Sequence, residues 1–119
     1  MDGTVDELFQ IVRVRCLTFE RAFEKLSHGA PAFFIEKGGQ FACLWDNHHN
    51  DGNIALLVAQ PPGMQESLIE EDPEVFYRPP YFGPSGWIGV RLDLAKDWSQ
   101  INDLIAQGYE FVAAKRKRY

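Results

Sequence analysis

Asp46, His48, His49 and Asp51 stand together in one polar stretch, the only place where imidazole and carboxylate groups crowd in the sequence. Such a set has the donor chemistry for a metal. But adjacent histidines point apart, and no Cys/His or i,i+4 spacing fixes a geometry. The stretch also lacks the glycine and terminal glutamate of a calcium loop. It reads as a solvated hairpin loop, so no metal and no cofactor is expected. Gly83-Pro84-Ser85-Gly86-Trp87 brings a serine hydroxyl into a glycine-rich turn, but Trp87 stands where a nucleophile elbow needs its last glycine. The turn also leads into a strand instead of from a strand into a helix. Gly86-Trp87-Ile88-Gly89 has the spacing of an RNA-clamping loop with an apolar interior, so its glycines read as points of close approach by a ring or backbone. His28 in Ser-His-Gly-Ala-Pro is a candidate general base, but no carboxylate nearby in sequence orients it, and it reads more readily as a turn residue before a strand. Cys16 and Cys43 fall in separate expected elements, a helix and a strand, and read as reduced, half-buried thiols.

The cations and aromatics form the other candidate set. Lys37 sits at an expected hairpin tip, Arg78 in an aromatic loop, and Lys115, Arg116, Lys117 and Arg118 close the chain. A hairpin tip with a lysine, a basic tail and exposed rings can hold phosphates and stack on bases. The same residues are equally served by ordinary turn chemistry and a solubilising end. Tyr77, Tyr81, Phe82 and Trp87 read as a plug at one end of the core and a possible pocket, ahead of a flat stacking platform.

Charge separates these readings. The 119 residues carry a net −5, but residues 1–114 hold 17 acidic and 8 basic side chains, a formal −9, and the four tail cations offset part of it. A body this acidic repels polyanions, so any DNA contact must be local, weak and salt-sensitive. It fits a partner protein or a small ligand more easily.

The elements that must position these groups follow from periodicity. Thr4 and Glu7 form a capping box before Val5, Leu8, Phe9, Val12 and Cys16, which predicts a helix over about 5–17. A short strand near 22–26 precedes apolar runs at 32–35 and 41–45, joined by Lys37-Gly38-Gly39-Gln40; Gly-Gly there predicts a primed hairpin turn. A further strand is expected at 54–59 and a helix at 64–71. Residues 87–94 alternate, with Ile88, Val90, Leu92 and Leu94 on one face. Asp97 and Gln100 cap a helix that Gly108 is expected to end, and 109–116 reads as a separate short helix. Strands followed by helices, without repeat or linker, predict one α+β domain over 1–119. Its single antiparallel sheet of about five strands would pack with helices. Phe33, Ile35, Phe41, Cys43, Leu56, Val90 and Leu92 are expected to be buried against those helices. The acidic start and the short apolar runs point to a cytoplasmic protein with no membrane partner.

Pro79-Pro80-Tyr81-Phe82-Gly83-Pro84-Ser85-Gly86-Trp87-Ile88-Gly89-Val90, then Asp97-Trp98 and Tyr109-x-x-Val112-Ala113-x-Lys115, resemble the MmcQ/YjbR family of small bacterial proteins. His28-Gly29-x-Pro31-x-Phe33 and Gly38-Gly39-x-Phe41-Ala42 fit the same pattern. The resemblance implies a secretion-chaperone-like, YjbR-like α+β fold and a DNA-binding, double-wing-like role, and it supplies no catalytic residue set. Fold analogy of that kind does not establish function. The leading expectation is therefore a non-catalytic module that contacts DNA through Lys37, Arg78 and the tail. The alternative is a protein-interaction or small-ligand domain, monomeric or weakly dimeric, and an enzyme ranks last.

Overall fold

A computed structural model describes residues 3–47 and 52–116. In chain order the elements are α1 (Gly3–Cys16), β1 (Ala22–Ser27), β2 (Ala30–Ile35), β3 (Gln40–Asp46), β4 (Ile54–Val58), α2 (Met64–Glu71), β5 (Phe76–Tyr77), β6 (Ile88–Arg91) and α3 (Trp98–Arg116). The strands form one open antiparallel sheet in the order β1-β2-β3-β4-β6-β5. No helix among the described residues is long and apolar enough to cross a membrane.

The sheet has six strands where about five were expected. The sixth, β5, is only two residues long, too short for alternation to register in sequence. It exists because the turn after α2, where Val75 and Phe76 donate their N–H groups to the Asp72 carbonyl, lays Phe76 and Tyr77 beside β6.

β4 shows why the central strands read as unbroken apolar runs. Leu56 and Val58 face α1, α2 and α3 together with Phe33, Leu44, Ile88 and Val90. Ala55 and Leu57 face the other way, beside Ala32, Cys43, Trp45 and Trp87. A strand covered on both faces has no polar side to alternate with. All seven residues expected in the core are buried. Cys43 is the exception in its neighbours, since it lies on the face opposite the helices.

A β-bulge separates the two faces at β3. Phe33 pairs with Ala42 and Phe34 with Gln40, so Phe41 has no residue opposite. The extra residue lets both Phe41 and Ala42 join the helix-side core. The hairpin tip departs from the Gly-Gly expectation. The left-handed residue is Lys37, at φ 60°, and the turn closes through Gly38 N–H to the Ile35 carbonyl at 2.8 Å and Ile35 N–H to the Gly39 carbonyl at 3.0 Å.

Three further boundaries differ. α1 begins at Gly3, which places Thr4 inside the helix and not at its cap. β6 stops at Arg91, so Leu94 is 47% exposed instead of continuing the buried face. Most informative, α3 is one helix of 19 residues that runs straight through Gly108. Asp97 caps it as expected, accepting the Gln100 N–H at 3.2 Å. Gly108 does not end the helix; it lets the helix lie on β4. A Cβ there would stand 2.5 Å from the Ala59 carbonyl oxygen and 2.7 Å from Val58 Cγ2. The next residue, Tyr109, stacks on Phe19 at 4.6 Å and meets Phe41 edge-on at 5.4 Å. Its hydroxyl donates to the Glu20 carbonyl at 2.6 Å, tying α3 to the segment after α1.

Gly108→Ala tests this packing, because two effects oppose each other. Alanine favours the helix by about 1 kcal/mol, while overpacking against a strand backbone costs about 1–3 kcal/mol. The net expectation is a lower urea midpoint with an unchanged slope. A midpoint equal to or above that of the parent would show that β4 yields to the methyl group.

Candidate functional site

The side of the sheet away from the helices is covered by the loop over residues 79–87, and a buried amide holds that loop in place. Gln65 projects from α2, is 3% exposed, and donates through Nε2 to the carbonyls of Trp87 at 2.6 Å and Gly83 at 3.0 Å. Its Oε1 accepts from Arg78 Nη1 at 3.4 Å. Losing this amide would remove the Gln65 bond to the Trp87 carbonyl and one of the two bonds that the Gly83 carbonyl accepts, the other coming from the Gly86 N–H at 2.9 Å. The chain between those carbonyls forms a single 3-10 turn, Gly83–Ser85.

Pinned there, the loop presents its rings inward. Phe82 stacks on Trp87 with centroids 4.4 Å apart and leans on Trp45 at 6.1 Å and 53°. Tyr77 lies flat over Gly89, where a Cβ would come within 2.6 Å of the ring, and the Arg91 guanidinium covers Tyr77 at 4.7 Å. Gly89 thus meets a ring at close range, as its place in the Gly-Trp-Ile-Gly run suggests.

Beside these rings the sheet face opens into a cleft of about 620 Å³ lined by Ser27, His28, Gln40, Cys43, Trp45, Tyr81 and Phe82. Cys43 and Trp45 are buried and form its floor. Gln40 reaches it because the bulge at Phe41 turns residue 40 to this face. Ser27 ends β1, and His28 opens the β1–β2 turn. Tyr81, 76% exposed, stands at the mouth. Two of the lining residues hold left-handed backbone, His28 at φ 53° and Tyr81 at φ 69°. For a bulky side chain such as tyrosine that conformation is a true outlier, costing about 1–3 kcal/mol. Strain of this size persists only where the surroundings over-determine it.

The lining contains no Asp, Glu, Lys or Arg. Burial pushes the Cys43 thiol up to about 12, so it stays protonated at neutral pH and acts as a small apolar surface. Cys16, buried among the helices, is likewise pushed up to about 12, chiefly by burial. The cleft therefore offers three aromatic side chains, an apolar floor and the polar groups of Ser27, His28 and Gln40.

The cations singled out in the sequence fall elsewhere. Lys37, at the β2–β3 tip, borders a second hollow of about 650 Å³ with Arg21, Ala113 and Ala114, where the last turn of α3 arrives. Lys115 lies over the Phe111 ring at 4.5 Å, and Arg116 is the last residue of α3. Lys117 and Arg118 lie outside the described residues. The fold thus brings Lys37 to the root of the basic tail, but Glu20, Glu36 and Glu110 line the same hollow. Arg78 does not border it and instead bonds to Gln65.

Of the aromatic set, Tyr81 and Phe82 line the cleft, Trp87 backs Phe82, and Tyr77 packs on Gly89. Trp45, Cys43, Gln40 and Ser27 were missed as site residues; the period-two spacing of Cys43 and Trp45 was the one available signal. His28 is at the cleft, but in a role given by the turn. His48, His49 and Asp51 lie outside the described residues. Among the described residues no group of three or more His, Cys, Asp or Glu could hold a metal ion.

Comparison with known proteins places this geometry. The family model described as YjbR matches residues 17–111. The crystal structure of Deinococcus radiodurans protein DR2400, a DUF419 domain, superposes with a TM-score of 0.77 at 18% identity, over 90% of this chain and 79% of that one. At that identity the likeness concerns the fold. Among curated proteins none matches the chain.

The raised thiols give a pH prediction with a definite sign. Unfolded cysteines release their protons near the ordinary value of about 9, whereas the folded ones hold them to about 12. Between those values the unfolded chain binds fewer protons, so stability falls as pH rises through the window. Urea titrations from pH 8 upward should show a shallower decline for Cys43→Ala than for the parent. Equal slopes would mean that the thiol is more open to water than the fold indicates.

Proposed function

The chain belongs to the YjbR family, and from that premise we propose that it is a non-catalytic binding module whose site is the aromatic cleft and whose ligand is a small neutral molecule. The observation that carries this reading is the composition of the cleft: rings from Trp45, Tyr81 and Phe82 beside Ser27, His28 and Gln40, with no Asp, Glu, Lys or Arg in the lining. A concave, mostly apolar site with a few placed polar groups is the usual form of a small-ligand pocket, and its volume falls in the usual range of about 300–1,000 Å³. The protonated Cys43 thiol favours binding over nucleophilic chemistry. A screen of small neutral aromatic and aliphatic compounds, followed by amide NMR shifts, should move signals at Ser27, His28, Gln40, Trp45, Tyr81 and Phe82. Tyr81→Ala should weaken every hit. Shifts confined to the end of α3, or none at all, would count against the cleft.

A second reading rests on a separate observation, the meeting of Lys37 with the root of the basic tail. That end of the molecule can hold a phosphate locally, and the acidic side chains around it keep any DNA contact weak. A duplex titration at several salt concentrations, comparing the full chain with one ending at Ala114, tests it. The truncated chain should bind more weakly, and its log–log salt slope should be shallower by about 0.9 for each phosphate it no longer neutralises. Absence of binding by the full chain at low salt would retire this reading and leave the cleft untouched.

A further inference from the structure

Resting on the small-ligand reading, we propose that the cleft takes a neutral planar heteroaromatic ring of the nucleobase type, with its faces against the aromatic side chains and its polar edge toward Gln40, Ser27 and His28.

Three features of the cleft converge on that chemistry. The first is the walls. Phe82 is held by its stack on Trp87 and by Trp45, so one flat surface is fixed, and Tyr81 stands across the mouth as a second ring. Rings held this way accept a flat, polarisable partner with little reorganisation.

The second is the placement of polar groups. A plain hydrocarbon in the cleft would cover Ser27, His28 and Gln40 without satisfying them, which is unfavourable. A heteroaromatic edge offers alternating donors and acceptors to the same groups. The Gln40 amide carries a donor and an acceptor side by side, the pattern that pairs with a base edge. Its Nε2 meets the Ala42 carbonyl only at 3.5 Å, too long to be a strong bond, so the amide can turn to a ligand at small cost.

The third is charge. No Lys or Arg lines the cleft, Lys25 on the same face lies over the Phe34 ring at 4.8 Å, and the body around it is acidic, so the cleft favours a base over a phosphate. The base or nucleoside is the unit recognised, and any phosphate attached must stay outside. A base can arrive free or as a residue of a single strand. The chemistry in the cleft is the same, and the strand adds only contacts elsewhere.

The experiment uses the full chain and titrates it with adenosine, guanosine, cytidine, uridine, adenosine monophosphate, a short oligonucleotide and indole, followed by amide NMR shifts. At least one nucleoside should bind at the cleft about tenfold or more tighter than indole, with the monophosphate binding no tighter than its nucleoside. Tyr81→Ala should weaken that nucleoside about tenfold through the loss of stacking. Gln40→Leu should weaken it similarly and weaken indole much less, because indole has a single N–H and lacks the side-by-side donor and acceptor that pair with the amide. Both variants are checked for parent-like circular dichroism, and Tyr81, being exposed, is the safer of the two. Tighter, salt-sensitive binding of the oligonucleotide that is still abolished in Tyr81→Ala identifies a strand as the source, while weaker binding identifies the free nucleoside. If indole binds at the cleft and no nucleoside does, the nucleobase assignment falls while the small-ligand reading stands. If neither indole, any nucleoside nor any compound of the wider screen binds there, both fall together.

Discussion

An antiparallel sheet whose central strands are apolar on both faces has to be covered on both, and here the three helices occupy only one. β4 poses the problem most sharply, with Leu56 and Val58 against the helices and Ala55 and Leu57 turned away from them. The second face is closed by side chains of a loop. That substitution sets the character of the molecule, because a loop covers a sheet less completely than a helix layer does. Where the rings of Phe82, Trp87 and Trp45 stop, the cleft begins.

The loop can serve as a cover only if its backbone is fixed, since its peptide groups must find partners in a largely apolar setting. Gln65 supplies them from α2, so one amide couples the helix side of the fold to the aromatic side. Close approach does the same work at two glycines. Gly89 admits the Tyr77 ring over β6, and Gly108 admits the β4 backbone against α3. These contacts lie on opposite faces of the sheet, and between them they set the spacing of all three layers.

The charge distribution gives the two ends of the molecule different chemistry. No Asp, Glu, Lys or Arg lines the cleft, whereas Lys37, Arg21 and the root of the basic tail share a hollow with three glutamates. The alternating signs at that hollow weaken its attraction for an anion. Membership of the YjbR family and the likeness to the Deinococcus radiodurans structure concern the fold that carries both places, and the chemistry of each has to be argued from its own side chains.

Local pattern alone determined the helices at 64–71 and after Asp97, the hairpin around Lys37, and the burial of Phe33, Phe41, Leu56 and Val90, because periodicity and capping act between near neighbours in the chain. The same locality explains the errors. Gly108 looks like a helix end until the strand behind it is known, and Gly38-Gly39 looks like the left-handed pair until Lys37 is seen to take that role. Tyr81, Phe82 and Trp87 were legible as a plug or possible pocket from their crowding in one loop. Gln40, Cys43 and Trp45 were not legible as their partners, because the bulge at Phe41 decides which way residue 40 turns and strand pairing decides which loop covers residues 43 and 45. A site assembled from the β1–β2 turn, one bulged strand and a distant loop comes into being only when those segments pack, and the burial that drives the packing depends on contacts far apart in sequence.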